Sequence, residues 1–168
     1  MPEPMLPVLL LLALAAPQFE SYPAQEIFKG KPAAPKLKSE RQRRFQTRIL
    51  EGAAQGPNFA GHYTIVQWGC GASCISLLIV DAKTGVIYPL PFEALSFGFP
   101  YRFTDESGGI EELEPLSFRL DSNLLVMRGC PNEKDCATYY YEWQGERLRT
   151  IGKILARRVP GASVPGSR

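Results

Sequence analysis

Four cysteines in two tight pairs constrain this chain more than any other feature: Cys70 with Cys74, and Cys130 with Cys136. Only Gly71-Ala72-Ser73 separates the first pair, and Pro131 to Asp135 the second. Both pairs are flanked on each side by strand-like sequence. A hairpin across so short a loop sets its two cysteines opposite one another, at a separation a disulfide can bridge. Of the three pairings that four cysteines allow, the expectation is therefore Cys70–Cys74 and Cys130–Cys136. An even count in close pairs suits an oxidising compartment. Neither pair has the two-residue spacing of a zinc knuckle, and His62 is the only histidine, so neither a metal nor another cofactor is expected.

The segments around the cysteines share a rhythm. His62 to Trp68, Ile75 to Val80 and Val86 to Leu90 read as three strands, the last two joined by a Lys83-Thr84-Gly85 turn. Ile75 to Val80 is apolar except at Ser76, which predicts cover on both faces. Leu116 to Leu120 is a short strand. Leu124 to Arg128, Ala137 to Trp143 and Arg147 to Ile151 then repeat the three-strand pattern, with a Gln144-Gly145 turn. The fold class expected is mainly β: an antiparallel sheet, or a small sandwich, of two disulfide-bridged three-stranded meanders. One N-terminal helix over 39–55 covers a face. Ser39 and Gln42 form its capping box, Phe45, Ile49 and Ala53 its apolar stripe, and Gly56-Pro57 its stop. In Tyr139-Tyr140-Tyr141 successive rings must face opposite ways.

With 168 residues the chain suffices for one ordinary domain. Leu6 to Ala16 is apolar apart from Pro7, long enough for a signal-peptide core and too short to span a bilayer. Ala13-Leu14-Ala15 has the small-x-small pattern of a cleavage site. The division expected is a signal peptide over 1–15, an extended Pro-containing arm over 16–38, a β-rich domain over 39–156 and a disordered tail over 157–168. The location expected is periplasmic or secreted.

A net charge of +2 names no partner by itself. His62, read as a strand residue beside Tyr63, has no nucleophile-elbow motif to serve and is expected to be structural. The acids Asp105, Glu106, Glu111, Glu112 and Glu114 cluster in an irregular stretch where solvation is their ordinary role. The basic run Lys29, Lys31, Lys36, Lys38, Arg41, Arg43, Arg44 and Arg48 is opposed only by Glu40. Within it Arg41, Arg44 and Arg48 are candidates for contact with an anionic envelope component. The aromatic loop supplies the other candidates, Phe97, Phe99, Tyr101 and Arg102, because large apolar side chains in a loop either return to the core or form a contact surface. No nucleic-acid motif is present.

The string from Gly56 to Val66, GPNFAGHYTIV, followed by Trp68-Gly-Cys-Gly71 and later Arg128-Gly-Cys-Pro-Asn-Glu133, resembles small exported bacterial proteins of uncharacterised function. The resemblance spans about residues 28 to 151; it implies export and supplies no activity. Size and paired cysteines are also similar in kind to periplasmic lysozyme inhibitors and immunity proteins. The function expected is that of a non-catalytic exported binding protein, an inhibitor or immunity-type module of the envelope, with an envelope protein or anionic envelope component as partner. The alternatives are a small envelope hydrolase using His62 or a carboxylate pair, and a structural envelope component.

Overall fold

Strand-like alternation becomes an eight-stranded antiparallel sheet and a separate two-stranded one in the computed structural model, which describes residues 16–98, 101–103 and 114–160. The expected signal peptide, Phe99, and the acids at 105, 106, 111 and 112 lie outside the described residues. The first meander is β1 (Tyr63–Gly71), β2 (Cys74–Asp81) and β3 (Ile87–Tyr88). Then come β4 (Leu95–Ser96), β5 (Tyr101–Arg102) and β6 (Leu116–Phe118). The second meander is β7 (Leu124–Pro131), β8 (Ala137–Trp143) and β9 (Leu148–Leu155), followed by β10 (Arg157–Arg158). The hydrogen-bonded order is β1-β2-β4-β7-β8-β9, with β3 also on β2 and β6 also on β7. Both cysteine pairs are closed as disulfides within their own hairpins.

The two residues of β4 stitch the meanders together. Leu95 lies across from Ile75 on one side and Pro131 on the other; Ser96 lies across from Cys74 and Cys130. Beyond that stitch the halves diverge and fold over a common core. Tyr63 and Ile65 of β1 and Leu77 and Ile79 of β2 meet Leu125 and Met127 of β7 and Tyr139, Tyr141 and Trp143 of β8. The sheet is thus continuous in its hydrogen bonds and sandwich-like in its packing.

Each half also buries its outer face, as the near-continuous apolar run of β2 predicts. Val66, Trp68, Leu78 and Val80 are covered by Ile49 and Ala53 of the helical segment. Leu124, Val126 and Tyr140 are covered by Ala16, Phe19 and Tyr22 of the arm. Tyr139 and Tyr141 therefore point into the central core and Tyr140 away from it, under the arm. The arm continues around the molecule by backbone pairing: Ala24 to Asp121, Phe28 to Gly61, Ala33 to Ala82 and Lys36 to Gly85. It passes so close that a Cβ on Gly61 or Gly85 would lie 2.0 or 2.1 Å from the Glu26 or Ala34 carbonyl oxygen. Both glycines also have φ near +80°, at +83° and +73°.

Several expectations need correction. The helix is two pieces, α1 (Glu40–Arg44) and α2 (Gln46–Ala54), interrupted at Phe45 (φ −104°, ψ 20°), whose ring packs against Trp68 at 5.2 Å. The Ser39–Gln42 capping box is present. The third strand is cut to Ile87–Tyr88, since Pro89 has no N–H to give a ladder. The last long strand runs on to Leu155, with a bulge opposite Tyr140/Tyr141. His62 sits in the turn before β1 and not in a strand. Arg157 and Arg158, placed by the sequence in a disordered tail, form β10, held by backbone pairing to β5.

Candidate functional site

Hairpin geometry brings the two disulfides to one end of the sheet. β1 and β2 meet at the Cys70–Cys74 loop, β7 and β8 at the Cys130–Cys136 loop, and Ser96 lies between Cys74 and Cys130 in register. The tips are tied to the segment between them. The Ser73 carbonyl accepts from the Phe97 N–H at 2.9 Å, the Ala94 carbonyl from the Asn132 N–H at 2.9 Å, and Asn132 Oδ1 from the Glu93 N–H at 3.1 Å. Among the described residues five other than glycine have positive φ, and four of them are in these tips: Ser73, Asn132, Glu133 and Asp135. A left-handed backbone costs an ordinary residue about 1 kcal/mol, so these conformations persist because the bridges and carbonyl contacts hold them. Gly71 to Ser73 and Asn132 to Asp135 are all exposed, giving a rim of two rigid tips.

Of the aromatic-loop candidates, Phe97, Tyr101 and Arg102 belong to this end. Phe97 is half-buried beside Ser73. β10 leaves β9 where the Ala156 N–H donates to the Cys136 carbonyl, then pairs Arg157 with Arg102 and Arg158 with Tyr101. Tyr101 is half-buried and Arg102 exposed. The basic candidates are carried by the helical segment. Arg41 docks α1 onto the sheet, its guanidinium donating to the Glu93 carbonyl at 2.6 Å and to Ser76 Oγ at 3.3 Å. Arg44 and Arg48 are exposed on the helical segment.

The opposite end of the strands, about 23 Å from Cys70 along β1, carries a cleft of about 380 Å³. It is lined by arm residues Gln25 and Glu26, by His62 and Tyr63, and by Asn123, Trp143 and Gln144. The His62 ring lies 4.1 Å from that of Tyr63, and its Nε2 is 4.0 Å from Asp81 Oδ1, too far for a hydrogen bond. The Asp81 carboxylate is taken up by its own turn, accepting from the Lys83 N–H and the Thr84 hydroxyl, both at 2.8 Å. Lys83 pairs with Glu26 at 2.9 Å. Partial burial pulls the His62 pKa below its ordinary value, against the opposing pull of Asp81. Burial likewise raises the Tyr63 phenol, which donates to the Gly145 carbonyl at 3.0 Å. Among the described residues the buried Trp143 Nε1–H has no hydrogen-bond partner.

Chemically this cleft offers a largely neutral imidazole, amides and one ion-paired carboxylate. Among the described residues no serine, cysteine or threonine lines it. Among the described residues no three of His, Cys, Asp and Glu converge as a metal ion would require, and no helix is long and apolar enough to cross a membrane. Sequence reasoning singled out His62 but missed its surroundings, because Gln25, Glu26, Asn123 and Gln144 reach it only through the tertiary fold. No family model, curated protein or solved structure matches the chain.

Proposed function

We propose that this chain is an exported, non-catalytic binding protein, of inhibitor or immunity type, that meets an envelope partner with the disulfide-bearing end of its sheet. One observation carries the reading: both bridges flank Ser96, so two tips of fixed backbone stand side by side with Phe97 between them. Loops that are rigid before binding lose little conformational freedom on binding, which is what a tight inhibitor needs. Arg102 and Arg157 beside the tips suit a partner that is acidic at its margin. A photoreactive residue at Ser73 or Glu133, used in live cells, is expected to trap one envelope protein, whereas the same residue at Lys29 of the arm traps none. Equal or absent trapping at all three positions rejects the rim as the contact.

A second reading, a small hydrolase, draws on the cleft around His62. If an activity is found and His62→Ala abolishes it while the fold survives, that reading replaces the first.

A further inference from the structure

We infer that the open edge of β1, beside α2, is a second binding site that takes an extended peptide carrying an acidic side chain as an added strand. The inference does not rest on the rim.

The edge is half closed by the protein itself. The Ile65 N–H donates to Asn58 Oδ1 at 2.8 Å, and the Ile65 carbonyl accepts from Asn58 Nδ2 at 3.2 Å. One side-chain amide thus stands in for a neighbouring strand. Register is regular from Tyr63↔Asp81 to Gly69↔Ile75. In an antiparallel pair every second residue turns its backbone groups the same way. The N–H and C=O of Gln67 and Gly69 therefore point outward like those of Ile65. No described residue pairs with them on that side. Gln67 and Gly69 are exposed, and a Cβ built on Gly69 would meet nothing within 4 Å.

A groove of about 560 Å³ runs along this edge, walled by Arg48 and Glu51 of α2 and by Gln55 just after it, and floored by Val66 and Trp68. Gly52 abuts Val66 and Phe45 abuts Trp68, so α2 runs beside β1 and Arg48 falls next to the two open rungs. An added strand gains main-chain hydrogen bonds from such an edge, and the adjoining wall selects side chains. Glu51 in the same wall opposes Arg48, but Arg41, Arg43 and Arg44 of the preceding helix leave the segment net positive, so the wall at Arg48 selects an acid. The same charge disfavours a second copy of this chain as the occupant, because edge-to-edge pairing would bring together two helical segments that each carry four arginines against two glutamates over 40–54.

The other edge of the sheet is treated differently. β9 carries a bulge opposite Tyr140/Tyr141 and presents exposed Arg149 and Lys153. Bulges and edge cations are how sheets discourage a visiting strand. β1 is regular from Tyr63 to Gly69, has its irregularity only beyond, between Gly69 and Gly71, and carries no cation at Gln67 or Gly69.

The test uses the disulfide-intact protein and a random heptapeptide library displayed on phage. Recovered peptides are expected to be enriched in Asp or Glu and to slow hydrogen exchange at the Gln67 and Gly69 amides. Arg48→Glu weakens them about tenfold, as the loss of a charge-assisted contact requires. Gly69→Pro, which removes one donor, abolishes them, and Glu133→Ala on the rim leaves them unchanged. If Gly69→Pro does not fold, exchange protection together with Arg48→Glu decides. Recovery of no peptide, exchange at both amides unchanged by the recovered peptides, indifference to Arg48→Glu, or dimerisation through β1 overturns the inference.

Discussion

Gly52 sets the distance between helix and sheet. A Cβ there would lie 2.5 Å from Val66 Cγ1, against a buried, branched side chain that has little room to yield. Helix propensity favours alanine over glycine by about 1 kcal/mol, whereas overpacking costs about 1–3 kcal/mol. Gly52→Ala is therefore expected to lower stability by about 1 kcal/mol, read as a reduced urea midpoint at unchanged slope. His62 gives a residue-scale prediction of a different kind. Its folded pKa is lowered by burial, so the unfolded chain binds the proton more readily. Stability is then full above the unfolded value of about 6.5 and falls as the pH drops through it toward the lower folded value. Urea melts at pH 7.5 and 5.5 are expected to show this loss in the wild type and a smaller loss in His62→Gln. The sequence disclosed that His62 was alone and without a nucleophile motif. It did not disclose the cleft, whose other walls come from the arm and from the turn after β8.

At the scale of elements, the local features were the legible ones. Disulfide pairing followed from loop length and flanking strands, and the capping box from residues three apart. The helix break at Phe45 was hidden, because a run of good helix formers gives no sign that one ring will settle on Trp68. That the arm serves as cover was not legible. Phe19 and Tyr22 are two aromatics in a polar stretch, without a period to mark them, yet they close the outer face of β7 and β8. Each disulfide closes so small a loop that it removes little freedom from the unfolded chain. The Cys70→Ser/Cys74→Ser and Cys130→Ser/Cys136→Ser variants are each expected to lose about 2 kcal/mol and still fold, as thermal melts of both will show.

The whole molecule is two meanders made into one body by β4, by the shared core and by an aromatic contact at the far end. Trp143 of β8 meets Tyr63 of β1 at 5.0 Å, Tyr88 of β3 at 5.4 Å and Phe59 at 6.3 Å. Trp143→Ala is expected to cost about 3–5 kcal/mol, the usual loss for a buried tryptophan. Because one core serves both halves, calorimetry should record a single transition in the wild type. The repetition of the meander could be read from the chain. Its two-residue stitch could not, since Leu95-Ser96 has no strand signal of its own and pairs only because the hairpins on both sides present open rungs. The placement of the cysteines has a last consequence, for how the chain matures. Each sulfur has its mate within one hairpin, four or six positions away. A pairing that crosses the halves would have to close a much longer loop against the entropy of the unfolded chain. Refolding of the reduced chain is therefore expected to need an electron acceptor and to gain little from an isomerase, as the rate of native disulfide formation with and without one will show.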